Sequence, residues 1–158
     1  MRKYLMTFAV LALLGCATQQ ERAEQKAAMQ KAVSEAVAKR RWHVDVSSMN
    51  ALRYGARRVT SDFFLELRGD TLQSYLPYLG QVHLAPMASP SQGLNFEVPV
   101  IDYKVDNSKA HVSEIELKVK TQEDMYNYYI ELYDTGQAHI RVRSLHRDPI
   151  SFDGQLER

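Results

Sequence analysis

The run Tyr126-Asn127-Tyr128-Tyr129-Ile130-Glu131-Leu132-Tyr133-Asp134-Thr135-Gly136-Gln137-Ala138-His139-Ile140-Arg141-Val142-Arg143 decides the fold. Asp134-Thr135-Gly136 reads as a three-residue turn with Gly136 in the left-handed position, where a residue without Cβ pays no steric penalty. Tyr133 then faces Gln137. Counting back pairs Leu132 with Ala138, Ile130 with Ile140 and Tyr128 with Val142 on one face. The other face pairs Glu131 with His139 and Tyr129 with Arg141. Apolar meets apolar along the whole first face, and a one-residue slip would turn every one of those side chains to water. Turn chemistry and hydrophobic pattern therefore specify the same antiparallel hairpin.

The same period of two recurs on both sides of this hairpin. Trp42, Val44 and Val46 alternate with polar residues, as do Phe63, Leu65 and Leu67, then Ile101, Tyr103 and Val105, then Ile115, Leu117 and Val119. A further run covers 150–156. Gly69-Asp70 as a two-residue turn pairs Leu67 with Leu72, Leu65 with Ser74 and Phe63 with Leu76. Alternation of this kind marks strands buried on one face. Residues 81–93, with Pro86, Pro90 and Gly93, break the pattern and read as a long surface loop.

Upstream, residues 17–40 are rich in Ala, Gln, Glu and Lys and hold no Gly or Pro. Ala27, Met29, Val33, Ala36, Val37 and Arg40 follow helical spacing, which predicts a helix over 24–40 with a tether over 17–23. Its apolar face is mostly alanine, so the helix either docks on the sheet or spaces it from a membrane. The expected fold is α+β: one N-terminal helix, then a mostly antiparallel sheet of about eight to ten strands, as an α+β layer or a half-open barrel.

The N-terminus carries a delivery signal. Arg2 and Lys3 precede 11 uncharged, largely apolar residues from Tyr4 to Leu14. A bilayer-spanning helix needs about 20 such residues, so the run matches a secretory signal instead. Leu13-Leu14-Gly15-Cys16 resembles a lipobox. That resemblance implies cleavage before Cys16 and a diacylglycerol thioether on its sulfur, although Leu14 stands where a small residue is commoner. Cys16 is the sole cysteine, and lipidation accounts for a lone thiol in an exported chain. The expected organisation is a signal peptide over 1–15, a lipidated tether and helix over 16–40, and a β-rich domain over 41–158. By the same analogy Ala17, in place of Asp, directs such a protein to the outer membrane.

Beyond the hairpins, a series of motifs resembles a known family. Gly69-Asp70-Thr71-Leu72, Tyr75-Leu76-Pro77-Tyr78-Leu79-Gly80, Gly93-Leu94-Asn95-Phe96 and Ile101-Asp102-Tyr103 occur in the order seen in the domain-of-unknown-function 4251 family, small envelope lipoproteins of anaerobic bacteria. The resemblance covers residues 41–158 and the arrangement of lipobox, charged helix and sheet. It implies architecture and location. The family carries no assigned activity, ligand or catalytic residue.

The remaining residues exclude more than they assign. Removing residues 1–15 takes away two basic residues and no acid, leaving 18 basic against 19 acidic. That balance gives no electrostatic case for nucleic acid. No G-x-S-x-G elbow, Walker A loop or G-x-G-x-x-G is present, and no cofactor is implied. The five histidines, His43, His83, His111, His139 and His146, show no metal-binding spacing, and a metal site would need ligands that only folding can converge. Glu114 with Glu116, and Asp102 with Asp106, share strand faces and read as solvated carboxylates. Asp102 is a candidate to bond a neighbouring loop. Arg53, Arg57 and Arg58, and Arg141, Arg143 and Arg147, are candidate contacts for an anionic headgroup or glycan, or plain cross-strand partners, Arg141 over Tyr129 among them. Tyr75, Tyr78 and Leu79 form the candidate ligand or partner surface, an aromatic lip with Leu76. Their plainer role is a strand end that Pro77 terminates. The expectation is a non-enzymatic envelope lipoprotein, a binding or accessory module anchored through Cys16, with an envelope protein, lipid or glycan as partner. A lipid or lipoprotein carrier is the alternative, and an envelope hydrolase the least favoured.

Overall fold

A computed structural model describes residues 2–60, 62–83 and 93–157, with side chains from residue 19 onward. The loop expected over 81–93 lies mostly outside the described residues, as does the side chain of Cys16. Helix α1 (Arg2–Ala38) is followed by β1 (Arg41–Ala51), β2 (Gly55–Arg58), β3 (Phe64–Arg68), β4 (Thr71–Pro77), β5 (Gly93–Asp106), β6 (Val112–Lys120), β7 (Met125–Tyr133), β8 (Gln137–Ser144) and β9 (Ile150–Leu156).

From β3 to β9 each strand pairs antiparallel with the next. The β7–β8 register is the one the turn specified, with Leu132 opposite Ala138, Ile130 opposite Ile140 and Tyr128 opposite Val142. Gly136 has φ 80°. Leu67 faces Leu72 and Leu65 faces Ser74 as expected, but Phe63 precedes β3, and its carbonyl accepts from the Val46 N–H instead of pairing with Leu76.

The sheet is more closed than a half-barrel. One edge of β1 pairs with β9, from Val44–Leu156 to Ala51–Ile150, and the first half of its other edge pairs with β3. The result is a barrel of eight strands, with β2 a short ninth strand on the second half of β1. Eight strands enclose a space that side chains just fill. Here it is filled by Val44, Leu65, Leu72, Leu76, Tyr128, Ile140 and Phe152, each 0 % exposed, and their neighbours. Burying each such side chain contributes roughly 1.5–3 kcal/mol.

The seam between β1 and β9 needs two devices. The register shifts between Val46 and Ser48, so Ser47 is a bulge. Gly154 lies opposite Val46, where a Cβ would collide with the Asp45 carbonyl oxygen and come within 2.8 Å of Val44 Cγ1. A second irregularity lies in β5. Residues 93–99 pair with β4 and residues 100–106 with β6, and the register shifts at Ile101. The alternation expected of Ile101, Tyr103 and Val105 is therefore broken at Ile101, while Tyr103 and Val105 keep it opposite Leu117 and Ile115. Ile101 and Val105 are exposed, and Tyr103 is half-buried.

Helix α1 extends through the residues expected to form a tether, because Ala, Gln, Glu and Arg all favour helix and no Gly or Pro interrupts 17–38. It also docks. Met29, Val33 and Val37 join the core, with Met29 packed near Gly136 at the β7–β8 turn. The helix thus covers the barrel end where β8 begins. Its last turn closes on Arg40, which takes a left-handed φ of 51°. Arg40 is held there by Asp70, 2.8 Å away, by the Gly69 N–H on its carbonyl, and by the Tyr103 ring under its guanidinium. Among the described residues no helix is long and apolar enough to cross a membrane.

Candidate binding site

The Tyr75–Gly80 segment is not a continuous lip. Tyr75 is on the outer face and packs beside Phe63 and Phe64, with ring centroids 5.3 and 5.9 Å away. Leu76 points inward and is fully buried. Past Pro77 the chain turns into the barrel end opposite α1. There the Tyr78 hydroxyl lies 3.0 Å from the Gln81 carbonyl oxygen and 3.1 Å from that of Asp148. Burial first, then the Asp148 charge, raises the Tyr78 pKa. Leu79 is half-buried against the core. Strand alternation separates Tyr75 from Leu76, and the proline turn separates both from Tyr78 and Leu79.

The barrel end around Tyr78 is organised by Arg147, which is only 5 % exposed. Its guanidinium lies 5.2 Å from the Tyr78 ring centroid and donates from Nη2 to Glu123 Oε2 at 2.7 Å. Nη1 is buried and has no partner among the described residues. Tyr126 stacks on Phe96 in the same end, and burial pushes its pKa up to about 12. Asp124 caps the turn before β9, accepting from the backbone N–H groups of Met125 and His146. Asp148 accepts from His83 at 2.8 Å and from the Gln81 N–H, which in that order hold its pKa below the usual carboxylate value.

Outside this plug runs an open groove of about 540 Å³ between the β1–β2 hairpin and the strands β8 and β9. Its lining includes Asn50, Leu52, Arg141, Arg143, Arg147 and Ser151, and no acidic residue. Arg141 is paired with Glu131 at 2.9 Å. The ring of Tyr129 lies under Arg143 at 5.7 Å, not under Arg141 as register alone suggested, because Glu131 draws Arg141 away. Among the described residues Arg143 has no carboxylate within ion-pair distance. Leu52 and Leu145, 69 % and 74 % exposed, stand at this end of the barrel. Arg53, in the β1–β2 turn, reaches Asp148 at 3.5 Å. Arg57 and Arg58, on β2, are exposed. The sequence places the three groove arginines two and four residues apart. It could not show that the β1–β2 hairpin would wall them in.

The remaining candidates fall into ordinary partnerships. Asp102 pairs with Lys104 on its own strand and, among the described residues, with no loop. Glu114 pairs with Lys109. Each of the five histidines has a carboxylate neighbour: His43 with Asp45, His83 with Asp148, His111 with Asp134, His139 with Asp153 and His146 with Asp124. At His43 alone, among the described residues, a His and two carboxylates converge closely enough to hold a metal ion. Local spacing could not reveal this, since the third group comes from the far end of the chain.

A helix-capped, eight-stranded antiparallel barrel with an arginine-lined groove beside the end away from the helix defines the class of protein. The chain belongs to the domain of unknown function family DUF4251, whose model matches residues 24–156. A DUF4251 family protein from Bacteroides eggerthii, known from its crystal structure, superposes with a TM-score of 0.61 at 12% identity, over 83% of this chain and 90% of that one. At that identity the likeness speaks for the fold. No curated protein matches the sequence.

Proposed function

We propose that this protein is an envelope lipoprotein, anchored in the outer membrane through Cys16, whose barrel is a non-catalytic module binding an anionic group in the arginine groove. The groove carries the proposal. Arg143, over the Tyr129 ring, has no carboxylate partner among the described residues and can take a phosphate or carboxylate, while Arg141 and Arg147 beside it are already paired with Glu131 and Glu123. Exposed Leu52 adds apolar contact beside that charge. The chemistry is shared by a lipid headgroup phosphate and a glycan carboxylate. A lipid carrier would need room inside the barrel, and the inward positions of the described strands are taken by the protein's own side chains.

Glycerol phosphate and an oligogalacturonate, added separately to the full chain in detergent, test the groove. Arginine side-chain N–H resonances should shift and saturate with one of the two, and the shift identifies the source. Arg143→Gln, an exposed change, should weaken that binding several-fold, and added salt should do the same. Saturable binding unaffected by Arg143→Gln, or none at all, overturns the groove assignment. Anchorage is tested separately by metabolic labelling with palmitate and fractionation. Label should be lost in Cys16→Ser, and an unlabelled wild-type chain would refute the anchor.

A further inference from the structure

We propose that His43, Asp45 and Glu157 form a binding site for a first-row divalent cation, zinc in the first instance, with Glu66 orienting the imidazole. The site lies on the outer face of the barrel, flanked by the last turn of α1, and is separate from the arginine groove. Register builds it. His43 and Asp45 are two apart on β1, so both point outward. On one side Glu66 of β3 is the direct cross-strand partner of His43. On the other, β9 pairs Leu156 with Val44, and the Glu157 N–H donates to the His43 carbonyl at 2.8 Å.

The distances suit coordination. His43 Nε2 lies 3.3 Å from Asp45 Oδ1 and 3.8 Å from Glu157 Oε2, and the three ligand atoms all lie within 4.8 Å of one another. Tetrahedral zinc with bonds of about 2.0–2.1 Å sets its ligand atoms about 3.3 Å apart, so small rotations of exposed side chains suffice. The other ring nitrogen, Nδ1, faces Glu66 Oε2 at 3.5 Å. A carboxylate on that side is placed to close to a hydrogen bond and fix tautomer and ring orientation, as in carboxylate–histidine–metal sites. Phe64 stacks on the imidazole at 4.9 Å and holds its plane. Glu66 is itself held in place by Arg68, through bonds of 2.7 and 2.6 Å.

The donor set chooses the ion. One imidazole with two carboxylates favours zinc and its neighbours over calcium or magnesium, which take oxygen ligands alone. Three protein ligands leave a coordination position open. A bound ion would also join β1 to β9 across the seam that closes the barrel. The competing arrangement is His43 held by the same carboxylates through hydrogen bonds alone.

The experiment uses the full chain in detergent, stripped with a chelator. Zinc is titrated against a chromophoric competitor, and cobalt is added in parallel as a spectroscopic probe. One zinc should bind per chain, cobalt should give the visible absorption of a low-coordinate site, and zinc should raise the melting temperature. Asp45→Asn and Glu157→Gln each alter a side chain more than 60 % exposed, so the fold survives them. Each should weaken zinc at least about tenfold, and Glu66→Gln should weaken it by about 10–100-fold. His111→Ala removes a histidine whose carboxylate neighbour is Asp134, and should change nothing. No saturable zinc binding tighter than on the order of 100 μM, binding that survives both Asp45→Asn and Glu157→Gln, or full displacement of zinc by millimolar calcium would each overturn the assignment.

Discussion

Gly154→Ala tests whether the barrel is closed by a backbone approach that only glycine permits. An added Cβ meets the Asp45 carbonyl oxygen, part of the neighbouring backbone, and Val44 Cγ1 at 2.8 Å, inside the core. Neither can swing away as a flexible side-chain tip would. Overpacking of this kind costs about 1–3 kcal/mol. Moving β9 off β1 to relieve it weakens a ladder hydrogen bond, about 1 kcal/mol. The sum is about 2–4 kcal/mol, a sizeable share of the roughly 5–15 kcal/mol that holds a domain folded. For a barrel of this size about 4 °C is lost per kcal/mol, so the melting temperature should fall by about 8–16 °C. Circular dichroism at 218 nm during a thermal ramp reads the change. Gly55→Ala is the control, with φ +68° but nothing within 4 Å of its Cβ. It should lose only the left-handed backbone penalty, about 1–2 kcal/mol. If Gly154→Ala melts within about 2 °C of wild type, or above Gly55→Ala, the seam is not sterically closed and the reasoning fails.

Three further outcomes are expected. Tyr128 donates to Ser74 Oγ at 3.2 Å inside the barrel. Tyr128→Phe should therefore destabilise by about 1–3 kcal/mol in urea titrations, and the double change with Ser74→Ala should recover most of that, since no unpaired group remains. Burial raises the pKa of Tyr126 to about 12, and raises Tyr128 further, so both favour the folded state fully below pH 10, their unfolded value, and lose that contribution as pH rises through the folded values. Absorbance at 295 nm should show exposed tyrosines ionising first and these two only as the barrel unfolds; ionisation of all nine tyrosines near pH 10 with native circular dichroism would contradict it. Asp148 shows the opposite sign. Its depressed pKa favours the fold above the unfolded value, about 3.9, and the contribution disappears as pH falls through the lower folded value, so Asp148→Asn should flatten the stability profile on the acid side of about pH 4.

Local patterns carried the parts of the fold that depend on local pairing. The 126–143 hairpin was legible to the residue, because a left-handed Gly136 and an unbroken apolar face leave one register. Barrel closure was not legible. It joins Ser48 to Asp153, 105 residues apart, and rests on a bulge and a glycine whose meaning appears only when the strands meet. Helix docking was ambiguous because three buried side chains, Met29, Val33 and Val37, suffice to hold it, and alanine dominates the rest of that face. The tyrosine run reads as one lip in the sequence, whereas alternation and Pro77 send its members in different directions. The meeting of Asp45 and Glu157 at His43 escapes the sequence for the same reason as closure, since Glu157 follows the last strand.

The seam also has a kinetic side. Strands β6 to β9 are joined by short turns and can zip up quickly, whereas β1 must wait for the whole chain to bring β9 back to it. Until then both strands present unpaired backbone. At high local concentration, such as a crowded membrane surface, the β9 of one chain then has a second choice, the β1 of its neighbour. Exchange of that single strand would link two chains into a swapped dimer without making any contact that the monomer lacks.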